Sequence, residues 1–282
     1  SNMSGRGEVP PEQPEAPRVF VFGNDYRWHP AREPVDAAAG QVDAVSVDEN
    51  AGFGPSAAFG RAMAGAEPGM IVGLVPCAKG ATIIEEWQRS PADTSLYGSC
   101  LKRVRAASAA GRVAGMLFFQ GESDAHEGEL YHGVPRRPQE WGRKFTTFVN
   151  DFRRDLGRPD LPVVFAQIGP HASPERYVNW EVVRAEQARV RLPHVAMIET
   201  ADLSLRDRVH YDTPSYRIIG ERFAAAMHRL LEGTARPWRV DLQGHCAGEP
   251  KKVFGNAELQ ELGDDQYGCE LPAYGHLWVR AA

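Results

Sequence analysis

The chain lacks several marks of common protein classes. No apolar stretch in its 282 residues approaches the roughly 20 residues that span a bilayer. Neither sign of charge is in large excess: 32 Lys and Arg stand against 37 Asp and Glu, a formal net charge of −5. That balance offers no electrostatic footprint for nucleic acid or an anionic membrane surface, so neither is expected as a partner. Cysteine is scarce. Cys77, Cys100, Cys246 and Cys269 are the only four, and no two form a CxxC pair. Zinc is therefore not expected. Two readings of the thiols remain open: four free or half-buried side chains, or a Cys246–Cys269 bridge within the C-terminal segment, which would point to an oxidising compartment. No internal repeat is visible. Residues 8–17, with four prolines and three glutamates among ten, read as a loop and not as an interdomain linker.

The composition, 43% hydrophobic and 24% charged, describes one globular domain with room for a small appendage. Along the chain, short apolar runs alternate with helical patterns. Strands are expected at 18–22, 71–75, 114–119, 161–168 and 194–199. Helices are expected at 55–65, 96–110, 138–156, 177–191 and 214–231, each ended by Gly or Pro signals or a short loop. Continuous apolar strands alternating with helices predict a parallel sheet covered on both faces, a three-layer α/β/α arrangement. Such sheets bind ligands at the C-terminal ends of their strands. After Gly233 the helical period disappears. Trp238-Arg239-Val240, Lys252-Val253-Phe254 and His276 to Arg280 predict a small antiparallel β appendage, giving a division into 1–233 and 234–282.

Three blocks carry chemistry. Ser1-Asn2-Met3-Ser4-Gly5-Arg6-Gly7 places a hydroxyl in a turn punctuated by glycine. Asp207-Arg208-Val209-His210 offers an imidazole base with a carboxylate three residues away. A Ser hydroxyl becomes a useful nucleophile only with such a base and a group to orient that base. The bland alternative is a loop salt bridge among Arg206, Asp207 and Arg208. The third block, Gln120-Gly121-Glu122-Ser123-Asp124, follows an apolar strand. Its two acids at i and i+2 are weak grounds for a paired-carboxylate glycosidase, which would leave Ser1 and His210 idle. His126 and His132, beside Glu127 and Glu129, read as a solvated loop; no metal is expected there.

Taken in order, these blocks resemble the SGNH hydrolase superfamily, with its flavodoxin-like sheet. Within it they resemble the sialic-acid-specific acetylesterase domain, or carbohydrate esterase family six. The resemblance covers residues 1 to about 232. It implies Ser1 as nucleophile, His210 as base, and Asp207 as the carboxylate that orients it. It implies an oxyanion hole from Ser1, Gly80 and the side chain of Gln120, since Gly80 falls where the family places a Gly-Gly-Thr loop. This chain reads Gly80-Ala81-Thr82 instead. Trp87 and Gly52-Phe53-Gly54-Pro55 match further family positions. Trp87 serves either as core packing or as a wall for sugar, and Glu122 is expected to face substrate.

The implied activity is a serine esterase that removes acetyl groups from a carbohydrate such as acetylxylan or a sialic acid, without a cofactor. An esterase or thioesterase for other acyl groups, and an inactive carbohydrate-binding domain, remain open. The family usually has a strand and Gly-Gln ahead of its nucleophile, so a longer protein with that strand upstream of Ser1 is expected. A signal peptide, for a secreted or periplasmic protein, would lie there too. An added leader before Met3, and a Ser1 that uses its own amine as base, are the other readings of this end. Oligomeric state is not legible.

Overall fold

The computed structural model describes residues 1–45 and 48–232, followed by strands at 237–241, 251–255, 260–263, 266–270 and 277–280. In chain order the first part contains β1 (Val19–Phe22), β2 (Trp28–Pro30), α1 (Ser56–Ala66), β3 (Val72–Leu74), α2 (Leu96–Ala107), β4 (Met116–Phe119), β5 (Leu130–Tyr131), β6 (Val134–Pro135), α3 (Trp141–Asp155), β7 (Val163–Ala166), α4 (Trp180–Arg189), β8 (Val195–Ile198) and α5 (Thr213–Glu232). The chain divides into two compact units, Ser1–Met227 and His228–Ala282. That division falls inside α5, a few residues ahead of Gly233.

The expected strands and helices are present, with ends within three residues of those expected. β4, β7 and β8 form a parallel sheet in that order. β1 pairs in parallel with β3 and antiparallel with β2. β2, the short β5–β6 hairpin and a 3-10 turn at Ile84–Trp87 have too few residues for a recognisable period.

Alternation along β4 separates two helix layers. Phe118 points to α3, with ring centroids 5.3 Å from both Phe145 and Phe148. Its neighbour Phe119 points the other way, to Tyr211, 5.9 Å off, and Tyr211 meets Tyr216 of α5. The result is an α/β/α arrangement. α3 belongs there because Phe145, Phe148, Val149 and Phe152, spaced by three or four residues, form one buried stripe. α2 starts where the Ser95 hydroxyl caps the Gly98 N–H at 2.9 Å.

A disulfide joins Cys77, just after β3, to Cys100 of α2. This corrects the reading of four free thiols. The other reading, a Cys246–Cys269 bridge, lies outside the described residues, because Cys246 does.

In the second unit, β9 (Pro237–Asp241), β10 (Lys251–Gly255), β11 (Gln260–Gly263), β12 (Gln266–Glu270) and β13 (Leu277–Arg280) pair antiparallel. They form two small sheets, β11-β12-β9 and β10-β13. The β11–β12 hairpin was not foreseen, because β11 offers a single apolar residue, Leu262, and the alternation of Tyr267 and Cys269 in β12 is too short to stand out.

Candidate active site

Ser1 opens a tight turn. The N–H of Gly5 donates to the Ser1 carbonyl at 2.9 Å. Gly5 has φ +86°, and a Cβ there would lie 2.4 Å from the carbonyl oxygen of Phe53, so only glycine fits. Gly52-Phe53-Gly54 clasps this turn from outside: Gly52 N donates to Gly5 O at 3.0 Å, Phe53 N to Gly7 O at 2.9 Å, and Gly7 N to Phe53 O at 3.0 Å. The Ser1 turn thereby has a fixed backbone.

His210 lies in the loop after β8. His210 Nε2 stands 2.9 Å from Ser1 Oγ. On the other side of the ring, His210 Nδ1 lies 2.8 Å from Asp207 Oδ2. Asp207 Oδ1 also accepts the N–H groups of Val209 and His210, each at 2.9 Å. Burial tends to raise the Asp207 pKa. Those two backbone bonds and the imidazole outweigh it and hold the carboxyl below its ordinary value. An ionised carboxylate here fixes the ring with Nε2 free to accept the Ser1 proton. The carboxylate faces His210, which disfavours a loop salt bridge as its main role.

Gly80 meets the nucleophile turn through an ion pair. Arg6 Nη2 is 2.5 Å from Asp48 Oδ2, and Ser4 Oγ donates to the same oxygen at 2.8 Å. A Cβ on Gly80 would sit 2.5 Å from that oxygen and 2.7 Å from Arg6 Nη2. A side chain here would press on the Arg6–Asp48 ion pair, a contact that a reading of a plain turn glycine does not anticipate. Ala81, where the family has a second glycine, holds φ +54°, a conformation costing an L-residue about 1–2 kcal/mol.

Gln120 does not serve as the oxyanion donor expected of it. Both of its N–H bonds are committed, one to Thr82 O at 2.8 Å and one to Asp124 Oδ2. Its Oε1 accepts Trp141 Nε1–H at 3.0 Å. With two donors and both used, nothing is left for a substrate oxygen. The amide instead braces the segment after Gly80, helped by Asp124, which accepts Ile84 N–H on both oxygens.

Trp87 is core and not a sugar wall. It packs edge-on against Phe118 and Phe148, and its Nε1–H donates to Thr82 Oγ1 at 3.1 Å. Glu122 is also turned inward: its Oε1 accepts Asn2 Nδ2–H, and the residue is 8% exposed.

Sequence reasoning passed over Arg6, Asp48 and Asn2, polar residues that hold the site together, and weighed Asp124 only as half of a carboxylate pair. Arg6 and Asn2 sit inside the Ser1–Gly7 block, and that was the one available signal. Among the described residues no group of three or more His, Cys, Asp or Glu is placed to hold a metal, and no helix is long and apolar enough to cross a membrane.

Hydroxyl, imidazole and carboxylate in this line are the elements of acyl transfer. A family profile described as carbohydrate esterase, sialic acid-specific acetylesterase matches residues 1–229. A probable carbohydrate esterase of Arabidopsis thaliana is 30% identical over 250 residues, covering 80% of this chain and 86% of that protein. The X-ray structure of an Arabidopsis thaliana protein superposes with a TM-score of 0.67 at 28% identity, over 80% of this chain and 93% of that one. The fold is shared with NanS, at a TM-score of 0.61 and 16% identity over 81% of this chain and 94% of that one. It is shared too with a carbohydrate acetylesterase of Xanthomonas citri, at 0.53 and 17% over 93% of this chain and 67% of that one. The chain belongs to the sialic acid-specific acetylesterase family of carbohydrate esterases and is a carboxylic ester hydrolase.

Proposed function

We propose that the protein removes O-acetyl groups from an acetylated carbohydrate through a covalent acetyl-enzyme. The observation that carries this reading is the line from Ser1 Oγ to His210 Nε2, 2.9 Å long, continued from Nδ1 to Asp207 Oδ2 at 2.8 Å. His210 takes the proton from Ser1 as Oγ attacks the acetyl carbonyl. It then gives that proton to the departing sugar oxygen, and the acetyl group stays on Ser1. Water, deprotonated by the same imidazole, attacks the acetyl carbon and releases acetate. The oxyanion is taken by backbone N–H groups of Gly80 and of the Ser1 turn, each worth about 3 kcal/mol of barrier. Gln120 contributes by bracing the Gly80 loop. No cofactor enters the scheme.

The test is hydrolysis of p-nitrophenyl acetate and of acetylated xylo-oligosaccharide or O-acetylated sialoside, with wild type beside Ser1→Ala. Acetate release that falls by about 10³ or more in Ser1→Ala, together with labelling of Ser1 by a fluorophosphonate, supports the reading. Wild-type rates in Ser1→Ala end it. Turnover of longer acyl esters with none of acetyl esters moves the substrate to other acyl groups.

A further inference from the structure

The loops after β4 and β7 leave the C-terminal end of the sheet, where ligands of parallel sheets bind, and both are fastened to the catalytic residues. On the first loop, Glu122 binds Asn2, the neighbour of Ser1, and the next residue, Ser123, donates from Oγ to Tyr131 Oη at 3.2 Å. On the second, Ala172 N–H donates to the carbonyl of Arg208 at 2.9 Å, one residue from Asp207. The two loops also hold each other. Glu127 N–H donates to Arg176 O at 3.2 Å and Asn179 N–H to Ala125 O at 3.0 Å, while Asn179 Nδ2–H donates to His126 O at 2.8 Å.

The rings on these loops form one layer. His126 meets Tyr177 at 4.8 Å and Tyr131 at 5.5 Å. Tyr131 meets His132 at 4.4 Å, and His171 lies 5.6 Å from Tyr177 and 4.5 Å from Trp180. Tyr177 and Trp180 are buried and form the backing. His126, Tyr131 and His171 are half-buried and His132 is exposed, so these four present ring surface to solvent. The tip is stiff: His132 and Gly133 have φ +49° and +82° between the paired Tyr131 and Val134, as a two-residue primed hairpin turn requires. Beside the rings, Leu130 is 61% and Val178 59% exposed. Large apolar side chains left open together mark a surface that something covers. Burial, then the charges of Arg176 and Arg136, lower the His126 pKa to about 4, so this ring is uncharged at neutral pH.

A pyranose has an apolar C–H face and a rim of hydroxyls. Amphipathic rings with polar tips suit both. We propose that this wall, with Tyr131, His132 and His171 as its contact surface, binds the sugar unit next to the acetylated one. The proposal rests on the esterase reading above and names the part of the substrate that the reading leaves unplaced.

The experiment compares KM for p-nitrophenyl acetate with KM for the better substrate of acetylated xylotetraose and O-acetylated sialyllactose, in wild type, Tyr131→Ala, His132→Ala and Tyr131→Phe. The expected result is a KM for the oligosaccharide that rises roughly tenfold more than KM for the aryl ester in the alanine variants. Tyr131→Phe, which keeps the ring, retains most of the affinity. Equal changes in the two KM values, or wild-type hydrolysis of aryl acetate with neither oligosaccharide turned over, overturn the wall and leave the esterase intact. If wild type hydrolyses no ester, the esterase reading fails instead. Calorimetric titration with deacetylated xylotetraose and sialyllactose then decides the wall: binding of either that is lost in His132→Ala supports it, and binding of neither overturns it.

Discussion

The side-chain amide of Asn2 donates to the carbonyl of Val209 at 3.0 Å, tying the residue after Ser1 to the residue before His210. The same NH2 group donates to Glu122, and Asn2 Oδ1 accepts Tyr216 Oη–H at 2.7 Å. Asn2 is 1% exposed. One buried amide therefore sets the register of three segments that meet only in the folded chain. Replacing it strands buried partners and frees the Ser1 turn to shift. A displacement near 1 Å in such a site costs about 10²-fold in rate. Asn2→Ala is expected to lower kcat by about that factor with a much smaller change in KM for p-nitrophenyl acetate, and to lose about 1–3 kcal/mol of stability. A rise in KM at constant kcat would show that Asn2 binds substrate and does not position Ser1.

Asp207 is held by two backbone N–H groups as well as by His210, so its loop keeps its shape without the charge. Asp207→Asn removes the carboxylate that orients the imidazole and stabilises its protonated form. The expected loss in kcat is large but smaller than in Ser1→Ala or His210→Ala, as for other triads in which the orienting acid matters least. Stopped assays with p-nitrophenyl acetate on the three variants give the ranking. A His210→Ala variant more active than Asp207→Asn would reverse the assignment of base and orienter.

The succession of strands and helices, and the pairing of Asp207 with His210, were legible because each rests on a local pattern. Apolar runs such as Met116–Phe119 announce buried strands, and Asp-x-x-His before a helix announces a base with its partner. What the sequence concealed were buried polar contacts between distant segments. Arg103 lies in a helix whose polar residues are expected to face water, yet it is fully buried. Its guanidinium is 2.9 Å from Asp43 and donates to the carbonyls of Phe22 and Pro76. Gln120 shows the same limit from the other side. Its type suits an oxyanion hole, and only its partners reveal that both donors are engaged. The Tyr131 hairpin escaped because two-residue strands have no measurable period.

The Cys77–Cys100 bridge closes a loop with a sequence separation of 23 residues. Chain-entropy arguments assign such a loop about 3 kcal/mol of stabilisation through the unfolded state. For a domain of this size that corresponds to a fall in Tm of roughly 6–12 °C on its loss. Cys77→Ala/Cys100→Ala, followed by circular dichroism on heating, is expected to show that fall against oxidised wild type. Equal Tm values for the two proteins would mean that the bridge does not form.

Three carboxyl groups give stability a definite dependence on pH. Burial raises Glu33, Asp36 and Asp124 to about 7 each, from ordinary values of 4.5, 3.8 and 3.8. Glu33 Oε1 is buried without a hydrogen-bond partner, as suits a neutral acid. Below pH about 4 these groups are protonated in both states, and their full contribution is present. As pH rises from there, the unfolded chain ionises first while the folded chain keeps its protons, so stability falls until about pH 7 and then levels. Depressed acids such as Asp207, and Asp48 held low by Arg6 against its own burial, act in the opposite sense. They have ionised in both states by pH 5. His126, held at about 4 by burial, stays neutral in the folded chain while the unfolded ring is protonated below about pH 6.5, and offsets only part of the fall that three carboxyls produce above pH 5.5. Thermal melts are therefore expected to give a higher Tm at pH 5.5 than at pH 8. Glu33→Gln, which keeps the shape of the neutral form, should flatten part of that difference. A Tm that climbs between pH 5.5 and 8 would show that these carboxyls are ionised in the folded protein throughout.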